Sequence, residues 1–204
     1  MHPNPAFRHK APDDETARLY ASLIAEVGFG MVFLTTPDGP RVAHTPLYLR
    51  DAGRVGFHLA RGNALTRHLE SGQALIVVNG PDGYVSPRWY QDADQVPTWN
   101  YCALECEGTV RRLDHDGLID LLAVLSAHNE ARLDGAPWTM DKVAPATMSR
   151  LTEAIVGFEM DVIAWRPTFK LSQNKRVEER ERVTAGLEAS GAGAIAALMR
   201  ALAR

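Results

Sequence analysis

Cysteine, aromatic residues and a basic excess are all scarce in this sequence. Two cysteines in 204 residues exclude a disulfide framework of the kind that staples small secreted domains. Aromatics make up 7% of the chain, and 22 lysines and arginines stand against 25 acidic residues. A dedicated DNA-binding domain usually carries the opposite balance. No apolar run approaches the roughly 18 residues that span a bilayer. The start, Met1-His2-Pro3-Asn4-Pro5, has no apolar segment of the secretion-signal type, so the expected location is the cytoplasm. Repeats and low-complexity linkers are also missing.

What remains is a globular composition, 46% hydrophobic and 23% charged, long enough to bury a real core. Both cysteines lie in Asn100-Tyr101-Cys102-Ala103-Leu104-Glu105-Cys106-Glu107, which alternates like a strand. Four residues of strand span about 13 Å, and a disulfide needs Cα atoms within about 7 Å. Cys102 and Cys106 therefore read as small core residues beside Leu104, with Glu105 and Glu107 on the other face. No His or Cys neighbours stand at metal-ligand spacing, so no metal site is expected.

The pattern predicts a helix over 13–27, capped by Asp13 or Asp14 and striped by Leu19, Leu23, Ile24 and Val27. A meander of strands follows at 31–35, 41–49 and 54–60, joined by Pro37-Asp38-Gly39-Pro40 and Asp51-Ala52-Gly53. A short helix is expected over 64–70 behind an Asn63 cap. Strands are expected at 74–78 and from Tyr84, separated by a Gly80-Pro81-Asp82-Gly83 turn. A polar loop over 87–97 leads to a long strand, 99–113, with Gly108 as a bend. Helices are expected at 114–133 and 145–155, a last strand at 155–165, and a mostly helical tail over 174–204 broken at Ser190-Gly191. Six or seven strands without a βαβ rhythm argue for a closed antiparallel barrel, because closure removes exposed edges. Barrels of this size are filled by side chains, so a sizeable ligand belongs at the rim or between subunits.

Four segments carry chemistry. In Ala43-His44-Thr45-Pro46 a mid-strand proline marks an edge or bulge; the plain alternative is a bulge with a solvated His44. In Phe57-His58-Leu59-Ala60-Arg61-Gly62-Asn63-Ala64 a strand runs into the expected helix. Its free N–H groups, with Arg61, would suit a phosphate, and an ordinary cap with a surface arginine is the alternative. Gly83 to Tyr90 and Val96 to Tyr101 place aromatic clusters around a polar loop, which suits a flat conjugated ligand or a subunit contact more than a plain core. Lys170, Lys175, Gln173 and Asn174 could close over an anion, or simply open a helix capped by Ser172.

Taken in order, His58-Leu59-Ala60-Arg61-Gly62-Asn63, Tyr84-Val85-Ser86-Pro87-Arg88-Trp89-Tyr90, Val96-Pro97-Thr98-Trp99-Asn100-Tyr101 and Lys170-Leu171-Ser172-Gln173-Asn174-Lys175 resemble the PaiB-like family, described as FMN-binding negative transcriptional regulators. The resemblance runs over essentially the whole chain. It implies an α+β, mainly β protein: a split antiparallel β-barrel over 1–170 with peripheral helices, and a helical C-terminal extension over 171–204. It implies FMN at a homodimer interface. His58, Arg61 and Asn63 would serve the phosphate and ribityl chain, and His44, Thr45 and Pro46 the isoalloxazine edge. Ser86, Trp89, Thr98, Trp99 and Asn100 would line the flavin from one subunit or the other. Gln173 and Lys175 match the last motif. The family often has Asn-Pro after Ala-Arg-Ala, where this chain has Gly62-Asn63-Ala64.

Three functions compete. A flavin-dependent oxidoreductase would draw its chemistry from FMN; no catalytic residue can be named, since neither His44 nor His58 has a carboxylate orienter in sequence. A regulator would act indirectly. The helices at Asp114 and Pro145 are too far apart for a helix-turn-helix, and the basic stretch Lys170–Arg182 is interleaved with Glu178, Glu179 and Glu181. A cofactor-free interaction protein would take up no flavin.

Overall fold

Alternation of buried and exposed residues, most regular over Thr98–Arg112, marks strands, of which there are six among the described residues of the computed structural model, which comprise 3–7, 13–51, 53–70, 72–92 and 94–202, with backbone alone for 13–17. The elements are α1 (Asp13–Val27), β1 (Phe29–Thr36), β2 (Gly39–Asp51), β3 (Arg54–Ala60), β4 (Gln73–Val85), β5 (Thr98–Arg112), α2 (His115–Glu130), α3 (Pro145–Glu153), β6 (Ile155–Lys170), α4 (Val177–Ala189) and α5 (Gly193–Ala201). The sheet order is β1-β2-β3-β6-β5-β4, and β4 pairs back onto β1 to close it. Every pairing with a defined register is antiparallel. The mainly β, closed antiparallel expectation therefore holds. The cap expected at Asp13 or Asp14, and Ala52 of the second turn, lie outside the described residues.

The chain forms two compact units: Ala17–Val78 with Glu105–Trp165, and Met1–Thr16 with Asn79–Leu104 and Arg166–Arg204. In the first, Val32, Val55, Phe57, Ile76 and Phe158 are fully buried, and Phe57 stacks on Phe158 at 5.5 Å. Burying such side chains contributes about 1.5–3 kcal/mol each. The α2 stripe of Leu118, Leu121 and Leu125 covers the outer face of β3 and β6. It can lie flat because Gly56 has no Cβ; one built there would meet Leu121 Cδ1 at 2.7 Å. Asp114 caps α2 through the Gly117 N–H at 2.8 Å, as expected of a short polar side chain at that position.

That cover changes the reading of β6. Val156, Phe158 and Met160 alternate with Gly157, Glu159 and Asp161, a pattern that by itself puts Glu159 on the face away from the core, yet it is 1% exposed. Arg111 donates to it, and Arg50 and Arg54 approach its carboxylate at 3.5 Å. A buried carboxylate is tolerated only with such pairing.

Two other expectations are corrected. Residues 64–70 form no helix. Thr66 and His68 donate to Asn63 and Leu65 in three-residue turns, and Leu69 closes one four-residue bond to Leu65. Seven residues cannot repay helix nucleation, and Leu65 and Leu69, both essentially buried, anchor the turns instead. Gly80-Pro81-Asp82-Gly83 is not a turn but the middle of β4. Turn propensity is local, whereas Gly83 packs against Leu187 and Ile195 and Val85 is fully buried. The last strand also runs five residues beyond Trp165, to Lys170. Cys102, Leu104 and Cys106 are buried on one face of β5 and both thiols are free. Among the described residues no helix is long and apolar enough to cross a membrane.

Candidate functional site

In the first unit, β2 and β3 bring Thr45, Pro46 and His58 together. Leu47 donates its N–H to the Gly28 carbonyl at 3.0 Å, so the pleat turns residue 46 toward β3. The β2–β3 ladder begins with Leu47 opposite Phe57, one residue past Pro46, and proline has no N–H to give. Thr45 replaces it: its hydroxyl donates to the His58 carbonyl at 2.6 Å. Pro46 thus ends the ladder, an edge position that costs no hydrogen bond. Thr45 is 1% exposed, while His44 is exposed and opposite Met31 of β1.

His58 Nδ1 is the one buried side-chain nitrogen or oxygen among the described residues that lacks a partner. Burial pushes the imidazole below its ordinary value, so the ring is neutral at physiological pH.

Three residues on, Arg61 ties the end of β3 to the α3–β6 junction. Its Nε donates to the Glu153 carbonyl at 2.7 Å and an Nη to that of Ile155 at 3.3 Å, while its own N–H reaches Ala154 at 2.8 Å. A guanidinium has five N–H donors, and the side-chain bonds use two of them. Asn63 Oδ1 accepts the Leu65 N–H at 2.9 Å. The structure keeps this Asx turn but removes the helix dipole behind it. The same turn carries two residues that sequence reasoning missed. Thr66 donates to the Ala60 carbonyl at 2.9 Å. Arg67 donates to His68 Nε2 at 3.0 Å and lies 3.5 Å from Asp38, both largely exposed. Their signal was a second arginine six residues after Arg61.

In the second unit, Asn100 is fully buried. Its amide donates to Ser172 Oγ at 3.0 Å and Met199 Sδ at 3.3 Å, and Ser172 donates back at 3.2 Å. Ser172 is the non-glycine residue with positive φ among those described, at 60°, and this network holds it there. Gln173 spends both polar ends on the same turn, donating to the Phe169 carbonyl and accepting the Leu171 N–H at 2.7 Å. Lys175 donates to Gln95 at 2.7 Å and sits 4.7 Å from the centre of the Tyr90 ring. Lys170 donates to Thr98, and burial lowers its pKa. Tyr90 meets Ser172, and burial, with Glu179 second, raises its phenol.

Ser86 caps the short turn Pro87–Trp89 by accepting the Arg88 N–H at 3.3 Å. Trp89 lies on α4 at Gly186, where a Cβ would be 2.3 Å from the indole. Trp99 is 52% exposed and meets Tyr84, 45% exposed, edge-to-face at 5.0 Å. Among the predicted residues, Asn100 and Gln173 brace the β6–α4 turn, Trp89 anchors α4, and Trp99 is presented outward. No three His, Cys, Asp or Glu side chains converge among the described residues.

The family model "Putative FMN-binding domain" matches residues 1–164. The chain is 32% identical to protease synthase and sporulation protein PAI 2 of Bacillus subtilis over 158 residues, 76% of this chain and 75% of that one. In solved structures it is similar to an FAD- and heme-binding protein of Mycobacterium smegmatis (TM-score 0.58, 16% identity, covering 87% and 79% of the two chains). It is also similar to a general stress protein 26-related protein of the pyridoxinephosphate oxidase family from Clostridium acetobutylicum (TM-score 0.50, 11% identity, 79% and 93%). At those identities the structural likeness speaks for the fold. The barrel order, the 32% identity and the family match over four-fifths of the sequence agree: the chain belongs to the PaiB-like family of FMN-binding proteins, with the split-barrel fold of flavoproteins.

Proposed function

We propose that this protein is a cytoplasmic redox flavoprotein that holds FMN as a homodimer, and that any effect on transcription is indirect. The observation that carries the reading is the unpartnered, buried Nδ1 of His58. An orphaned polar atom costs about 1–3 kcal/mol, and a ligand group that hydrogen-bonds it recovers that cost. It stands beside Pro46 and three residues before a turn whose two arginines, Arg61 and Arg67, suit a phosphate. These residues fit the flavin's polar end: Arg61 and Asn63 for the phosphate and ribityl chain, and His44, Thr45, Pro46 and His58 for the ring edge. Ser86, Trp89, Thr98, Trp99, Asn100, Gln173 and Lys175 would serve the ring and its surroundings from one protomer or its partner. For Ser86, Trp89, Asn100 and Gln173 that service is indirect, through the cap and braces they form.

Bound FMN supplies hydride and electron transfer; the protein supplies position and exclusion of water. Neutral His58 can offer one donor and one acceptor without adding charge. Half-exposed Trp99, with Val96 76% exposed, supports a partner subunit, since exposed apolar groups of this kind favour interfaces. The balanced charge of the chain supports an indirect route to any promoter. Purified protein that shifts an operator fragment in a salt-dependent way would contradict this.

The test is FMN titration of His58→Phe by flavin fluorescence quenching. The variant keeps a flat aromatic ring and removes the orphan nitrogen, so it should still fold and bind FMN roughly tenfold more weakly. Equal affinity would remove His58 from the site.

A further inference from the structure

We infer that the cleft between the Pro87–Trp89 turn and the α4–α5 turn binds a planar aromatic anion, a fused-ring carboxylate or phosphate ester, as a second ligand besides the flavin. The cleft has a volume of about 780 Å³ and is walled by Tyr84, Ser86, Arg88 and Trp89 on one side and Ser190 and Ala192 on the other. That size lies within the range of small-molecule sites.

Its walls are closely packed. Trp89 is fixed against the α4 backbone at Gly186. The α4–α5 turn is fixed by Gly83, where a Cβ would meet Leu187 Cδ2 at 2.6 Å and Ala192 Cβ at 3.3 Å. Preformed walls spare a ligand the cost of ordering them. The chemistry of the lining is one-sided. Arg88 is exposed, no carboxylate lines the cleft, and no acidic side chain pairs with Arg88 among the described residues. A guanidinium so placed favours a bidentate carboxylate or phosphate. Tyr84 and Trp89 supply flat apolar surface for a ring. Ser86 Oγ accepts the Arg88 N–H at 3.3 Å and keeps its own proton to donate. Ser190 Oγ gives its proton to the Leu187 carbonyl at 2.9 Å and keeps lone pairs to accept. The Ser190 and Ala192 wall lies beyond residue 164, where the family match ends, so two of the seven lining residues come from the α4–α5 turn and not from the matched domain.

The inference rests on the flavin reading only in its claim to be a second ligand. The experiment titrates FMN-loaded protein with naphthoate and with uncharged naphthamide, following binding by calorimetry and flavin retention by absorbance. Naphthoate should bind roughly tenfold or more tighter than the amide, with the flavin retained. Arg88→Gln should erase the difference and leave FMN affinity unchanged. Ala192→Phe, which fills the cleft, should weaken both ligands. Release of one FMN per naphthoate bound would make the cleft the flavin's own and overturn the inference. No binding at millimolar naphthoate, or equal binding by wild type and Arg88→Gln, would also overturn it. Protein that takes up no FMN but discriminates naphthoate through Arg88 would refute the flavin reading and leave an aromatic-anion site.

Discussion

At the scale of single residues, Arg61 separates two roles that sequence alone merges. Its type and place suggested a phosphate ligand; the structure shows that it also holds the carbonyls of Glu153 and Ile155. Arg61→Ala should therefore weaken FMN binding and also lower stability by about 1 kcal/mol. A loss of stability with unchanged FMN affinity would leave it as a structural clip. The cysteines were fully legible, because alternation along β5 needs no tertiary knowledge. Burial pushes both thiols from 9.0 to about 12, with Glu105 adding to the shift at Cys106. The folded state then keeps protons that the unfolded chain gives up. Their contribution is full below pH 9.0 and falls as pH rises toward about 12. Urea unfolding of Cys102→Ala/Cys106→Ala should show a flatter alkaline limb than wild type; an identical limb would contradict the assignment. His58 could be singled out by its segment but not by its orphan nitrogen, since burial and partners of a ring atom depend on what packs over β3.

At the scale of elements, periodicity located the strands and the long helices because each presents one face to a core. It failed where two faces are covered or where local and tertiary preferences conflict. Glu159 looked solvent-facing because no sequence signal says that α2 lies over Gly56 and Gly157. Residues 64–70 had a helical stripe in Leu65 and Leu69, too short to propagate. In β4 the Gly-Pro-Asp-Gly sequence promised a turn, and packing of Gly83 under α4 and α5 overruled it. Two further contacts of different kinds hold the α4–α5 hairpin: Trp89 on Gly186, and Asn100 on Met199 Sδ at 3.3 Å. Gly186→Ala should displace the indole and cost about 1–3 kcal/mol through overpacking. Tryptophan fluorescence should report the movement. An unaltered spectrum and unfolding midpoint would show that the contact has slack.

At the scale of the whole molecule, the family was legible because four short motifs fall in one order along the chain, and that order is as informative as the fold. The arrangement of the site was not. Its residues fall in two sets on two compact units, and motif order says nothing about which of them face a ligand and which brace a turn. Asn100, Gln173 and Trp89 are the cases in point: each matches a family motif, and each is committed to internal contacts. The central claim is that the barrel holds a flavin. The visible absorption spectrum of the purified protein, recorded after incubation with FMN and desalting, tests it most directly. Flavin bands at about one per chain are the predicted result; a colourless protein after exposure to FMN well above micromolar would contradict it.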